Sequence, residues 1–104
     1  MFLRMKHKKL IKQMKGLEVS DKALFQYKTC VKGNNVESDE LLIKKLKRNY
    51  VLAERVDYYS YRFGNLYINV DSNIIKSIYN VKGKYLPYNV NDKLKAELDK
   101  ILGI

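Results

Sequence analysis

The sequence predicts an α+β fold: N-terminal helices, a three- or four-stranded antiparallel β-meander, and a C-terminal helix. Three observations predict it. Apolar residues recur at helical spacing up to about residue 50. From about Val51 the period drops to two, Tyr, Val and Ile become frequent, and Gly64-Asn65 separates two alternating runs. After Pro87 a helical period returns. A chain of 104 residues fits one domain, 1–104, and 46% hydrophobic residues give it material for a core.

Each element has a local cause. Over residues 3–15, Leu3, His7, Leu10, Ile11 and Met14 share one helical face, and lysines with Arg4 cover the rest. His7 reads as a half-buried packing residue, and Gly16 as the stop. Ser20 caps a second helix, with Asp21 at its positive end and Leu24, Tyr27 and Val31 facing inward. Gly33-Asn34-Asn35 is a turn. Ser38 caps a third helix whose inner face holds Leu42, Ile43, Leu46 and Tyr50. Its outer face is basic, with Lys44, Lys45, Lys47 and Arg48.

The meander follows. Tyr59, Tyr61 and Phe63 alternate with Ser60 and Arg62, and after the Gly64-Asn65 turn Leu66, Ile68 and Val70 alternate with Tyr67, Asn69 and Asp71. A second turn at Asp71-Ser72-Asn73 leads to a strand over 74–81. Both of its faces carry apolar residues, so its core face stays open. The segment around Pro87 is extended. Asn91 caps the last helix, whose buried stripe is Leu94, Leu98, Ile101 and Leu102, with Gly103 closing it.

Charge is the main functional signal. Twenty-one Lys and Arg against eleven Asp and Glu give a net charge of +10. Such a field attracts RNA, DNA, an anionic membrane face or an acidic protein. A lysine-rich solvated surface is the plain alternative. The lone Cys30 excludes an internal disulfide and points to a reducing cytoplasm, and on its helix it reads as a small core residue. One His and one Cys cannot build a Cys/His metal site, so no metal and no cofactor is expected. No apolar run reaches the length of a membrane span and no signal-peptide core is present, which excludes stable membrane insertion.

No phosphate loop or paired-histidine motif occurs, and Glu54 and Asp57 read as lying on opposite faces of a strand. What remains is a basic, tyrosine-rich sheet. Arg55, Arg62, Lys76, Lys82 and Lys84 are interleaved with Tyr59, Tyr61, Tyr79, Tyr85 and Tyr88. Cations meet phosphates and tyrosine rings stack on unpaired bases. Lys44, Lys47 and Arg48 add diffuse attraction from the third helix.

The segment from Arg62-Phe63-Gly64-Asn65 through Leu66 to Asp71 resembles the Arg-x-Gly-Asp/Asn turn and following strand of the RelE/ParE toxin superfamily. The resemblance extends to an apolar strand at 74–81, then a basic residue (Lys82 or Lys84) and a tyrosine (Tyr85 or Tyr88). It implies a compact toxin-like fold. RelE-type members cleave mRNA on the ribosome, whereas ParE-type members act on DNA gyrase. For a metal-independent endoribonuclease it implies Arg62, Lys82 and Tyr85 as the catalytic set, with the cations stabilising developing charge and the tyrosine moving a proton. The family's usual second arginine after the turn is replaced here by Leu66-Tyr67.

Two principal functions follow. One is a small basic protein directed at nucleic acid, RNA preferred: either a RelE-like ribonuclease toxin or a non-catalytic relative, with an antitoxin-like acidic protein as a further partner. The other is a phage or mobile-element interaction module that binds and inhibits a host protein. A third reading places the basic helix at 3–15 on a membrane surface.

Overall fold

A helix forms where its first N–H groups find acceptors, and three of the helices begin on a side-chain cap. The computed structural model describes residues 5–80 and 91–104, with side chains from His7 onward. Ser20 Oγ accepts from the Ala23 N–H (3.1 Å) and starts α2, Asp21–Cys30. Ser38 Oγ accepts from Leu41 (3.2 Å) and starts α3, Asp39–Leu52. Asn91 Oδ1 accepts from Leu94 (3.1 Å) and starts α4, Asp92–Leu102. Each of the three has an Asp in its first turn, where the helix dipole favours negative charge. The basic helix α1 spans Met5–Lys15 and stops at Gly16. Between α2 and α3, Gly33 takes φ +91° and opens a 3-10 turn, Asn34–Val36.

The expected meander is present with four strands: β2 (Glu54–Arg55), β3 (Ser60–Phe63), β4 (Leu66–Asp71) and β5 (Ile74–Asn80). A fifth strand, β1 (Glu18–Val19), runs parallel to β5, and the order is β1-β5-β4-β3-β2. Two residues are too few to show a period, so the sequence alone does not reveal β1. α3 also runs to the buried Leu52, past the point where the strand-like texture begins.

The ambiguous faces of β5 are resolved by a bulge. Asn69 pairs with Ser77 and Val70 with Ile75, so Lys76 is the extra residue. Ile75 and Ile78, three apart, therefore both reach the core side and oppose Val70 and Ile68. With Leu66, Tyr61 and Phe63 they form the sheet face that α2 and α3 cover through Ala23, Tyr27, Leu42 and Leu46. The other face holds Arg62, Tyr67, Tyr79 and a polar row in which Ser60 Oγ bonds Asn69 Oδ1 and Asn69 Nδ2 bonds Ser77 Oγ.

Two expected residues behave differently in the helix layer. His7 is buried, with Nε2 2.6 Å from Glu97 Oε2, so it ties α1 to α4. Arg48 is not on a basic outer face: it is 5% exposed. Its Nη1 donates to Asp99 Oδ1 (2.7 Å), and Nε and Nη2 both donate to Asn49 Oδ1 (3.1 and 2.8 Å). Asn49 in turn donates to the Tyr27 hydroxyl. On α1, Met14 is buried, while Leu10 and Ile11 of the same apolar stripe are half-buried. No helix among the described residues is long and apolar enough to cross a membrane.

Candidate nucleic-acid interface

The strongest surface feature begins with a turn. Between β2 and β3, Asp57 accepts from the Tyr59 and Ser60 N–H groups through Oδ1 (3.0 and 2.9 Å). The Val56 N–H donates to the Ser60 carbonyl (2.9 Å). Asp57 thus caps a turn and does not lie on a strand face opposite Glu54, as its spacing had suggested. Asp is suited to this because its short carboxylate reaches backbone donors two and three residues on. The tightened turn thrusts Tyr58 and Tyr59 outward, 72% and 51% exposed. Their rings meet edge to face at 4.6 Å.

Arg55 is held beside them. Its Nε donates to the Asp57 carbonyl (3.2 Å) and Nη2 to the Tyr58 carbonyl (3.3 Å), and its guanidinium lies 5.5 Å from the Tyr58 ring centroid. Those bonds use two of the five N–H donors of an arginine, which leaves donors to meet an anion. Pairing of Arg55 with Tyr61 puts both on the helix side of the sheet. There Tyr61 meets Tyr50, from the last turns of α3, edge to face at 4.7 Å. Burial, then the neighbouring Tyr61, pushes the Tyr50 phenol up to about 12, so Tyr50 is a neutral hydroxyl at physiological pH.

These groups line one open cleft of about 440 Å³, formed by Tyr50, Arg55, Tyr58, Tyr59 and Tyr61 together with the β4–β5 turn. That turn, Ser72-Asn73, has both central residues at positive φ (53° and 63°), the I′ pattern that suits strand twist. The cleft offers ring faces and edges for stacking, a tethered guanidinium for phosphate and a neutral phenol for hydrogen bonding.

The expected site residues divide. Arg55, Tyr59 and Tyr61 come together in this cleft. Arg62, one residue from Tyr61, projects to the opposite sheet face, where its Nε donates to the Gly64 carbonyl (2.9 Å) and braces the hairpin. Tyr79 is on that face too, stacked on Tyr67 at 5.3 Å. Lys76 is exposed at the bulge, and its carbonyl accepts from Ser20 Oγ. Lys44 and Lys47 remain on α3 away from the cleft lining, and Arg48 is interior. Lys82, Lys84, Tyr85 and Tyr88 lie outside the described residues. The cleft also contains Tyr50 and Tyr58, which are absent from the expected set. The tyrosine-dense run Tyr58-Tyr59-Ser60-Tyr61 was the available signal for Tyr58, whereas Tyr50 read as helix interior. No group of His, Cys, Asp and Glu among the described residues could hold a metal ion.

A family model described as YorE, a phage-type family, matches residues 17–101, and the chain belongs to that family. The match contains the whole tyrosine cleft and leaves α1 outside it. No curated protein and no solved structure matches the chain.

Proposed function

We propose that this YorE-family protein binds single-stranded nucleic acid, RNA in preference, in the tyrosine–arginine cleft, and that it does so in the cytoplasm. The observation that carries the reading is the convergence of Arg55 with Tyr50, Tyr58, Tyr59 and Tyr61 on a chain of net charge +10. Unpaired bases stack on phenol rings whatever their sequence, and the field of the whole molecule draws the phosphates in. RNA is preferred because its unpaired loops and ends present splayed bases to such rings.

Fluorescence anisotropy with a labelled oligouridylate tests this directly. Tyr59→Ala, at an exposed ring, should weaken binding by about 1–3 kcal/mol, the range for losing one stacked base. Retention of wild-type affinity by both Tyr58→Ala and Tyr59→Ala would sink the reading. A ribonuclease reading, by resemblance to RelE-type toxins, assigns Arg62, Lys82 and Tyr85 to the scissile phosphate and needs a site apart from this cleft, because Arg62 projects to the opposite sheet face. For it, expression of the wild-type chain should arrest growth and Arg62→Ala should relieve the arrest. Unimpaired growth under wild-type expression counts against it.

Membership of a phage-type family supports a second reading, an interaction module directed at a host protein. Capture of one host protein that survives nuclease treatment and is abolished by Tyr58→Ala would favour it over RNA.

A further inference from the structure

α1 carries five lysines and no acidic residue, and the side chains of Lys8, Lys9, Lys12 and Lys15 are among the described ones. Only two of these four, Lys9 and Lys12, line a second cleft of about 460 Å³. Its floor is largely apolar, with Leu10 and Leu17 beside Gln13. This cleft and the tyrosine cleft share two lining residues, Tyr50 and Asn73. They are therefore neighbours on one side of the molecule, with Tyr50 at their junction.

The two clefts differ in chemistry in a way that suits one extended ligand. The tyrosine cleft supplies rings and one guanidinium, and Asp71 stands at its rim. Between them, four rings and one cation fit bases better than a run of phosphates. The α1 cleft has the reverse balance, with two ammonium groups, an apolar floor and no carboxylate in its lining. Lysine serves phosphate as a mobile point charge and needs no fixed geometry to do so. A strand whose bases stack on Tyr58 and Tyr59 must continue somewhere. Towards Tyr50 it runs onto a surface of matching positive charge.

We infer that the two clefts form one continuous track for a single strand, in which Lys9 and Lys12 hold the phosphates of nucleotides beyond those stacked on the tyrosines. This rests on the nucleic-acid reading above and extends it by fixing the path and the length of the ligand. The track requires a strand longer than the tyrosine cleft alone can contact. It also makes α1, which lies outside the family match, a contributor to affinity.

The test compares labelled oligouridylates of about three and about twelve nucleotides, the longer being within the site size of small single-strand-binding folds. Lys9→Ala/Lys12→Ala should weaken the longer probe by about tenfold and lower its salt slope by about 1.4, the loss expected for two phosphate contacts. The trinucleotide should bind as before. Lys8→Ala/Lys15→Ala removes the same charge from exposed positions of the same helix without touching the cleft, and should have a much smaller effect. Equal losses in the two double variants would overturn the track in favour of diffuse attraction, as would an unchanged affinity and slope for Lys9→Ala/Lys12→Ala. Polyglutamate competing as well as oligouridylate of equal charge would also overturn it, because the groove would then be taking any polyanion. A failure of the tyrosine variants to affect either probe would instead remove the parent reading, and the track with it.

Discussion

At the scale of the residue, Arg48 shows how far a charge can be from where its sequence neighbours suggest. It follows Lys44, Lys45 and Lys47, and such a run reads as a solvated face. Yet position 48 shares a helical face with Leu41, Lys45 and Leu52, and that face turns inward towards α4. Asp99, which receives the Arg48 guanidinium, is 51 positions away in the chain. Arg48→Ala would leave the Asn49 amide oxygen and a largely buried Asp99 carboxylate without their donor. We expect it to lower unfolding stability by about 3 kcal/mol, at the low end for a broken buried pair because Lys95 also approaches Asp99 at 3.5 Å. Urea denaturation measures this. RNA affinity per folded molecule should be unchanged, which separates Arg48 from a surface nucleic-acid contact. Arg48→Lys should recover little, since one ammonium cannot serve Asn49 and Asp99 together.

At the scale of the element, the two hairpin turns use different solutions to one problem. At Gly64-Asn65 only Gly64 has positive φ (57°), the II′ pattern, and glycine takes it without strain. At Ser72-Asn73 both residues are in the left-handed region, and serine is a poor occupant of it. Ser72→Asn with Asn73→Gly installs the residue pair that the I′ turn favours. It should raise stability by about 1 kcal/mol, read as a shift of the thermal midpoint. No gain would mean that the turn is not held in this conformation in solution. The bulge at Lys76 has a larger consequence. Without it a strict alternation would send Ile75 and Ile78 to opposite faces, and the strand's double-sided apolar pattern would have no single core side. A pattern count detects that both faces of 74–81 are apolar. It does not detect an extra residue, because a bulge is fixed by cross-strand pairing.

At the scale of the whole molecule, net charge and local geometry act on different quantities. The +10 field governs how fast and how strongly any polyanion is gathered, while the cleft governs what is held. RNA affinity should therefore fall linearly with salt on a log–log plot, with a slope of about −0.7 for each phosphate engaged. Tyr59→Ala should shift that line without changing its slope, because stacking releases no counterions. A salt-independent affinity would remove the phosphate contacts from the account. Exposed Phe25 and Val36, on α2 and in the 3-10 turn, are single apolar residues of the ordinary surface kind.

The amino-acid sequence alone determined the α+β plan, the three capped helices, the Gly64-Asn65 hairpin and the basic character of the protein. Caps, turns and periods act over a few residues, so their causes are contiguous in the chain. The tertiary structure decided everything that depends on pairing across the chain. It added β1 to β5, turned Ile75 and Ile78 to one side, buried Arg48 against Asp99 and set Arg55 and Arg62 on opposite faces of the sheet. Arg55, Tyr59 and Tyr61 could be picked out as cation and rings, but their meeting with Tyr50 needed α3 laid against β3. Register is the physical reason. A period of two places every other strand residue on the same side, and only the partner strand says which side faces the helices.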